Sequence, residues 1–326
     1  MGRQGIVVAP PKMKYWTINN NRLTEMVYKV RYWIGVPLVL SVSALIIYRI
    51  YTNWTTLKPV ISQIKVDLAL GGIGILSIAI TLLSWNWVSI LSFRETHVHR
   101  LNCMRAYFLT NLTRYIPGGV WHFAGRTLWL IHQGHNPHSV AESLVFEQGM
   151  TLTAAIAVGF MFLDVINWRP LTAGIAVFSV LLLALLAAFA VTAPKTAGKG
   201  LQLRFLERWF ILIVGYVLFW VLYGLSTICF ATAIVGERIT DFGYIRLIGQ
   251  SALSWAIGYV IFFVPGGWGV RELAFMHLLS RDFSGSIIFI LPVLSRLAQI
   301  LAELLCGGVF SLLWQLNSLM KVSKLP

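Results

Sequence analysis

Long apolar runs separated by short polar connections dominate the chain. They lie near residues 32–50, 66–92, 142–163, 170–191, 209–235 and 285–315. Each approaches or exceeds the roughly 20 residues a helix needs to cross a bilayer. None shows the strict alternation of a half-buried strand. The pattern predicts an all-α polytopic membrane protein with about six spanning helices. Tryptophans close the second run ("SWNW", residues 84–87), as at a membrane–water interface. Pro292 interrupts the last run and is expected to break it.

Two stretches depart from this pattern in nearly the same words: "YIPGGVWHFAGR" at residues 115–126 and "VPGGWGVRE" at residues 264–272. Proline removes a backbone donor, and glycine admits turns closed to other residues. Lipid tolerates broken backbone only where protein covers it or it lines a wet cavity. Pro117 and Pro265 are 148 residues apart, and the same shift carries the second run close to the fifth and the third into the last. A unit of span, PGG element and span therefore occurs twice, over residues 66–163 and 209–316.

Charge decides how these units are expected to sit. The chain has 57% hydrophobic and 12% charged residues, mean hydropathy +0.74 and net charge +14. Its cations are spread between spans rather than massed on one face, which argues against nucleic-acid binding and for topology control. The basic clusters are an N-terminal arm (residues 1–31), Arg94, Arg100 and Arg105, then Lys195 to Arg208, and finally Lys321 and Lys324. They share one side only if each PGG region enters and leaves by the same face. The positive-inside rule thus predicts six spans and two re-entrant PGG helix-hairpins arranged as an inverted repeat, with both termini cytoplasmic. Eight spans is the alternative, because "YIRLIGQSALSWAIGYVIFFV" (residues 244–264) could cross. The whole chain reads as one membrane domain.

Charged residues inside the two units mark the candidate site. They are Arg126 and Glu147 in the first, and Arg271, Glu272, Arg296 and Glu303 in the second. Ionised groups at membrane depth are costly unless paired or wet. Facing Arg and Glu around a polar cavity is the simplest account; pairs that only staple the hairpins are the alternative. The half-helices after Pro117, Gly118 and Gly119, and after Pro265, Gly266 and Gly267, present free N–H groups and a positive dipole end, suited to an anion such as phosphate. Glu147, Glu272 and Glu303 are also candidates for proton coupling, which a pH-independent transport rate would exclude.

On these residues the chain resembles the flippase-like membrane domain of the lysylphosphatidylglycerol synthase family, as a stand-alone member. The resemblance rests on Asn111 with Tyr115 to Gly119, Gly125 and Arg126, on "SLVFEQ" around Glu147, on Val264 to Glu272, and on "PVLSRLAQILAEL" from Pro292 to Leu304. It covers most of the chain beyond residue 30. One departure is "PGGVWHFAGR", bulkier at Trp121 and His122 than the family's glycine-rich form. The resemblance implies movement of an anionic lipid or a polyprenyl-phosphate-linked intermediate between leaflets of a prokaryotic cytoplasmic membrane, beside envelope or glycan biosynthesis enzymes. Because the chain ends soon after its last span, the family's soluble aminoacyl-transferring domain is not expected.

Other chemistry finds little purchase. His132, His135 and His138 are spaced by three, but Gly134 and Pro137 intervene, so a polar interfacial connection is expected rather than a metal site. The three cysteines are scattered, and no nucleotide or nucleophile motif occurs. No cofactor and no enzymatic activity are expected. The alternatives to lipid translocation are a transporter or channel for a small anionic solute, a membrane-embedded transferase on a polyprenyl-phosphate sugar, and a non-transporting partner of an envelope complex.

Overall fold

Among the described residues four helices are long and apolar enough to cross a membrane: Val66–Leu91, Pro137–Leu163, Glu207–Val235 and Ile287–Met320. The computed structural model describes residues 44, 48, 51–52, 54–93, 95, 97–115, 121–163, 199–236, 241–261, 267–283 and 285–322. All regular structure among these residues is helical. The expected runs at 32–50 and 170–191, the N-terminal arm, and Pro117, Gly118, Gly119, Pro265 and Gly266 lie outside the described residues.

In chain order the helices are α1 (Trp54–Ser62), α2 (Val66–Leu91), α3 (Arg100–Asn111), α4 (Trp121–Ile131), α5 (Pro137–Leu163), α6 (Lys199–Val235), α7 (Asp241–Val260), α8 (Val270–Leu279) and α9 (Ile287–Val322). A short 3-10 turn, Leu112–Tyr115, extends α3. Long, short, short, long thus occurs twice, as α2 to α5 and as α6 to α9. In each set a PGG falls in the gap between the two short helices.

Two expected boundaries move. Helix α5 starts at Pro137 rather than near residue 142, because proline's fixed φ and missing N–H suit the first helical turn. Helix α9 runs continuously through Pro292, correcting the expected interruption there. The proline lies near the start of the helix, where Ser295 Oγ donates to the carbonyls of Leu291 (2.8 Å) and Pro292 (3.0 Å).

Helices α2 and α6 run antiparallel along their lengths. At one end Lys65 N–H bonds Ala233 O (3.0 Å), and at the other the Phe93 and Trp209 rings stack at 6.1 Å. Gly72 leaves the room that the Phe230 ring fills between them. The end of α2 and the end of α6 therefore lie at opposite ends of the bundle, and the short helices that follow them start from opposite ends.

Each short pair folds back to where it began. Asn102 at the start of α3 bonds Gln133 just past α4 (2.5 Å), and Asn136 N–H bonds Glu95 (3.2 Å). In the second set Arg246 and Gln250, in the first half of α7, hold Asp282 just past α8, at 2.5 and 2.6 Å. Close contact between α5 and α7 joins the two sets: a Cβ on Gly249 would stand 2.7 Å from Gly159 O and 2.8 Å from Leu163 N. Without a strong hydrophobic drive in lipid, such small-residue approaches carry much of the packing.

Candidate functional site

The flanks of the two broken segments meet inside the bundle. Tyr115, just before the first, packs edge-on against Trp268, just after the second, with ring centroids 6.4 Å apart. The Arg296 guanidinium from α9 stands over both rings, at 5.2 and 5.4 Å. Beside this junction lies a cavity of about 200 Å³ lined by both halves: Tyr107, Asn111, Arg114, Glu147 and Thr151 from the first, Tyr223, Gly258, Arg271, Arg296, Gln299 and Glu303 from the second.

Local rules put these side chains there. Gly267 and Gly269 have φ of +66° and +80°, the left-handed region where a Cβ is strained, and so the chain turns sharply into α8. Gly267 also lies against Gly258, where an added Cβ would sit 3.0 Å from Gly258 O. On α9, Arg296, Gln299 and Glu303 recur at helical spacing, so one stripe faces the cavity. On α8, Glu272 accepts from the Gly269 N–H (2.6 Å), capping the helix start so that Arg271 turns inward.

A chain of polar contacts crosses the cavity from half to half. Arg114 pairs with Glu303, whose other oxygen accepts from Tyr115 (3.1 Å). Gln299 donates to Glu303 (3.0 Å) and accepts from Arg271 (2.8 Å), and Arg271 also donates to the Tyr223 hydroxyl. Glu147, on the wall, and Arg126 behind it form a second unit. Both are 1% exposed and 2.6 Å apart. Arg126 also donates to Asn111 (2.7 Å), and its guanidinium lies over the Tyr107 and Trp87 rings at 4.1 and 4.6 Å.

Of the predicted residues, Glu147, Gly267, Arg271, Arg296 and Glu303 line the cavity. Arg126 and Glu272 do not. Arg126 stands behind the lining residues Glu147, Asn111 and Tyr107, and Glu272 caps α8 and stands 3.9 Å from Arg296. Sequence reasoning missed Arg114, Tyr223 and Gln299. Arg114 had a signal, as a cation three residues before Pro117, and Gln299 had one in its helical spacing between Arg296 and Glu303. Tyr223 had none, being one of several aromatics in an apolar run.

No family model matches this chain, and no curated protein or solved structure matches it. Chemical reading therefore rests on the site. Four buried or cavity-facing arginines (114, 126, 271, 296) meet three glutamates (147, 272, 303). Three arginines stand within 4.0 Å of a glutamate, while the partners described for Arg271 are both neutral. No carboxylate among the described residues lies that close to Arg271. The excess positive charge sits on the cavity wall, in low dielectric, and favours an anion. The three histidines lie apart from this, with His135 3.7 Å from Glu95 and His138 3.2 Å from Glu142. Among the described residues no group of three His, Cys, Asp or Glu side chains is placed to hold a metal ion.

Proposed function

We propose that this membrane protein moves an anionic lipid, or an anionic lipid-linked intermediate, between leaflets, with the headgroup passing through the central cavity. The observation that carries the reading is Arg271, a buried guanidinium on the cavity wall whose side-chain partners among the described residues are the neutral Gln299 and Tyr223. An anionic headgroup supplies the missing countercharge. Bidentate geometry makes arginine well suited to phosphate.

The architecture fits the same reading. Two hairpins starting from opposite ends of an antiparallel α2–α6 pair are what an inverted repeat requires, and the fold-back contacts favour re-entrant hairpins over full crossings. Six spans with two such hairpins follows if residues 32–50 and 170–191 also cross. The lysylphosphatidylglycerol synthase resemblance points the same way. Buried Arg126–Glu147 acts as a staple, and Arg114 with Glu303 ties the halves across the cavity.

A cavity of about 200 Å³ is small beside the 300–1,000 Å³ usual for drug-sized ligands. It suits a headgroup whose tails remain in the bilayer, and it equally suits a small anion enclosed whole. Reconstitution in vesicles separates the two. Wild type is expected to expose fluorescent phosphatidylglycerol to an external quencher, and Arg271→Gln to slow this at least tenfold while the protein stays folded. Equal lipid movement in both, or efflux of a small anion without lipid movement, would reject the lipid reading.

A further inference from the structure

A second pocket, with no lining residue in common with the central cavity, lies at the end of α2 where it meets α6, beginning at Trp85 just beyond the cavity-lining Leu83. Its volume is about 540 Å³, and its polar lining is Asn86, Ser89, Ser92, Glu95, Arg100 and Arg208. Neither arginine has a role in the central site. Arg100 stands over the Trp85 ring at 4.6 Å and Arg208 over Phe93 at 5.9 Å, so both cations lie on aromatic faces at one end of the bundle. Glu95, the one acid on the wall, is engaged by Asn136 N–H (3.2 Å) and His135 (3.7 Å). The balance is positive.

Asn86 adds a donor that the fold leaves unused. It is 3% exposed and lines the pocket, yet its Nδ2 has no hydrogen-bond partner among the described residues. An unpaired buried amide N–H is costly, on the order of 1–3 kcal/mol. The position is also built for it: a Cβ on Gly215 of α6 would stand 2.6 Å from the Asn86 amide nitrogen. The glycine leaves room for the Asn86 amide against α6.

An apolar groove begins on the other side of Trp85. Its volume is about 510 Å³, it runs between α2 and α9, and Ile78, Leu82, Leu305, Val309 and Phe310 are among its lining residues. Trp85 belongs to both spaces. Donors and cations on one side of an interfacial tryptophan, with an apolar trough on the other, match the two parts of a phospholipid.

We propose that this face holds one anionic glycerophospholipid as a resident ligand, with its phosphate between Arg100, Arg208 and Asn86 and an acyl chain along the α2–α9 groove. The occupant is a lipid rather than free phosphate because the groove continues from the headgroup pocket. It is an anionic lipid because the pocket carries two cations against one engaged acid. This site is separate from the proposed translocation path, whose headgroup position lies at Arg271.

Native mass spectrometry of the full chain, released from mixed phosphatidylglycerol and phosphatidylcholine micelles, tests it. Wild type is expected to retain phosphatidylglycerol, and the doubly substituted Arg100→Gln, Arg208→Gln chain to retain one molecule fewer, with affinity weakened roughly thirtyfold. Both arginines are exposed, so folding should be unaffected. Asn86→Asp, which puts a negative charge there with little change of size, should have the same effect. Arg271→Gln should leave this molecule bound while removing any lipid held at the centre, so failure here and failure of the translocation reading are distinguishable. Unchanged retention in the double variant would overturn the proposal. So would equal retention of phosphatidylcholine, full displacement by millimolar inorganic phosphate, or a lipid-free dimer covering the groove.

Discussion

At the residue scale, the decisive question is which buried charges bind and which merely hold. Arg126 and Glu147 neutralise each other, with Asn111 and two aromatic faces around the guanidinium, and only Arg126 Nε lacks a hydrogen-bond partner in this pair among the described residues. Removing one partner strands a buried charge at a cost of about 3–5 kcal/mol, whereas replacing both by apolar residues of similar volume is much milder. Arg126→Met and Glu147→Leu should each sharply lower the unfolding temperature in detergent, and the double variant should recover most of the loss. A double variant that is stable but inactive would instead show that Glu147, already on the cavity wall, takes part in binding. Packing glycines behave differently again. Gly249→Ala forces a methyl into the α5 backbone and should destabilise by about 1–3 kcal/mol in thermal unfolding. Gly74→Ala meets nothing within 4 Å and should stay within about 1 kcal/mol of wild type.

The element scale shows how much a sequence discloses in a membrane protein. Apolar length alone locates α2 to within a residue of its end, since nothing but helix satisfies the backbone in lipid. It places the start of α6 some ten residues late, because the first turns of that helix ("KGLQLRFLER") are polar and only the apolar part registers in a composition scan. Paired PGG motifs disclose where the short helices end, but not that their flanks meet; that needs the antiparallel α2–α6 contact between residues far apart in sequence. Four of the five arginines and glutamates on the cavity wall were legible as charge at membrane depth. Tyr223 was not, because an aromatic residue in a span gives the same signal whether it faces lipid or an arginine. The fold-back contacts carry their own test. In a chain whose native cysteines are replaced, His97→Cys and Gln133→Cys should react with an impermeant maleimide from one side of the membrane, and Ser280→Cys from the other. A split between residues 97 and 133 would mean that α3 and α4 cross.

For the whole molecule, the junction of Tyr115 and Trp268 couples two sets of short helices that start at opposite ends of the α2–α6 pair. If headgroups pass between them, this contact must open and close. Cysteines at both positions, joined by a cleavable bifunctional reagent, should arrest lipid movement in vesicles, and cleavage should restore it. Movement that continues through the cross-link would place the path elsewhere, along the lipid-facing side of α9 for instance. Stability should change little, since the packing of α2 on α6 and of α5 on α7 lies away from the junction.

The cross-half contacts also bear on the order in which the chain enters the membrane. Glu147 follows Arg126 by 21 residues, so this pair can neutralise itself as soon as the first half emerges. Arg114 must wait for Glu303, 189 residues later. At about 5–20 residues per second, that is a delay on the order of 10–40 s, spent with an uncompensated cation beside the bilayer. Arg114 cannot gain its carboxylate partner until residue 303 has been made, and a ribosome stalled before that point should leave Arg114 open to water and to modification.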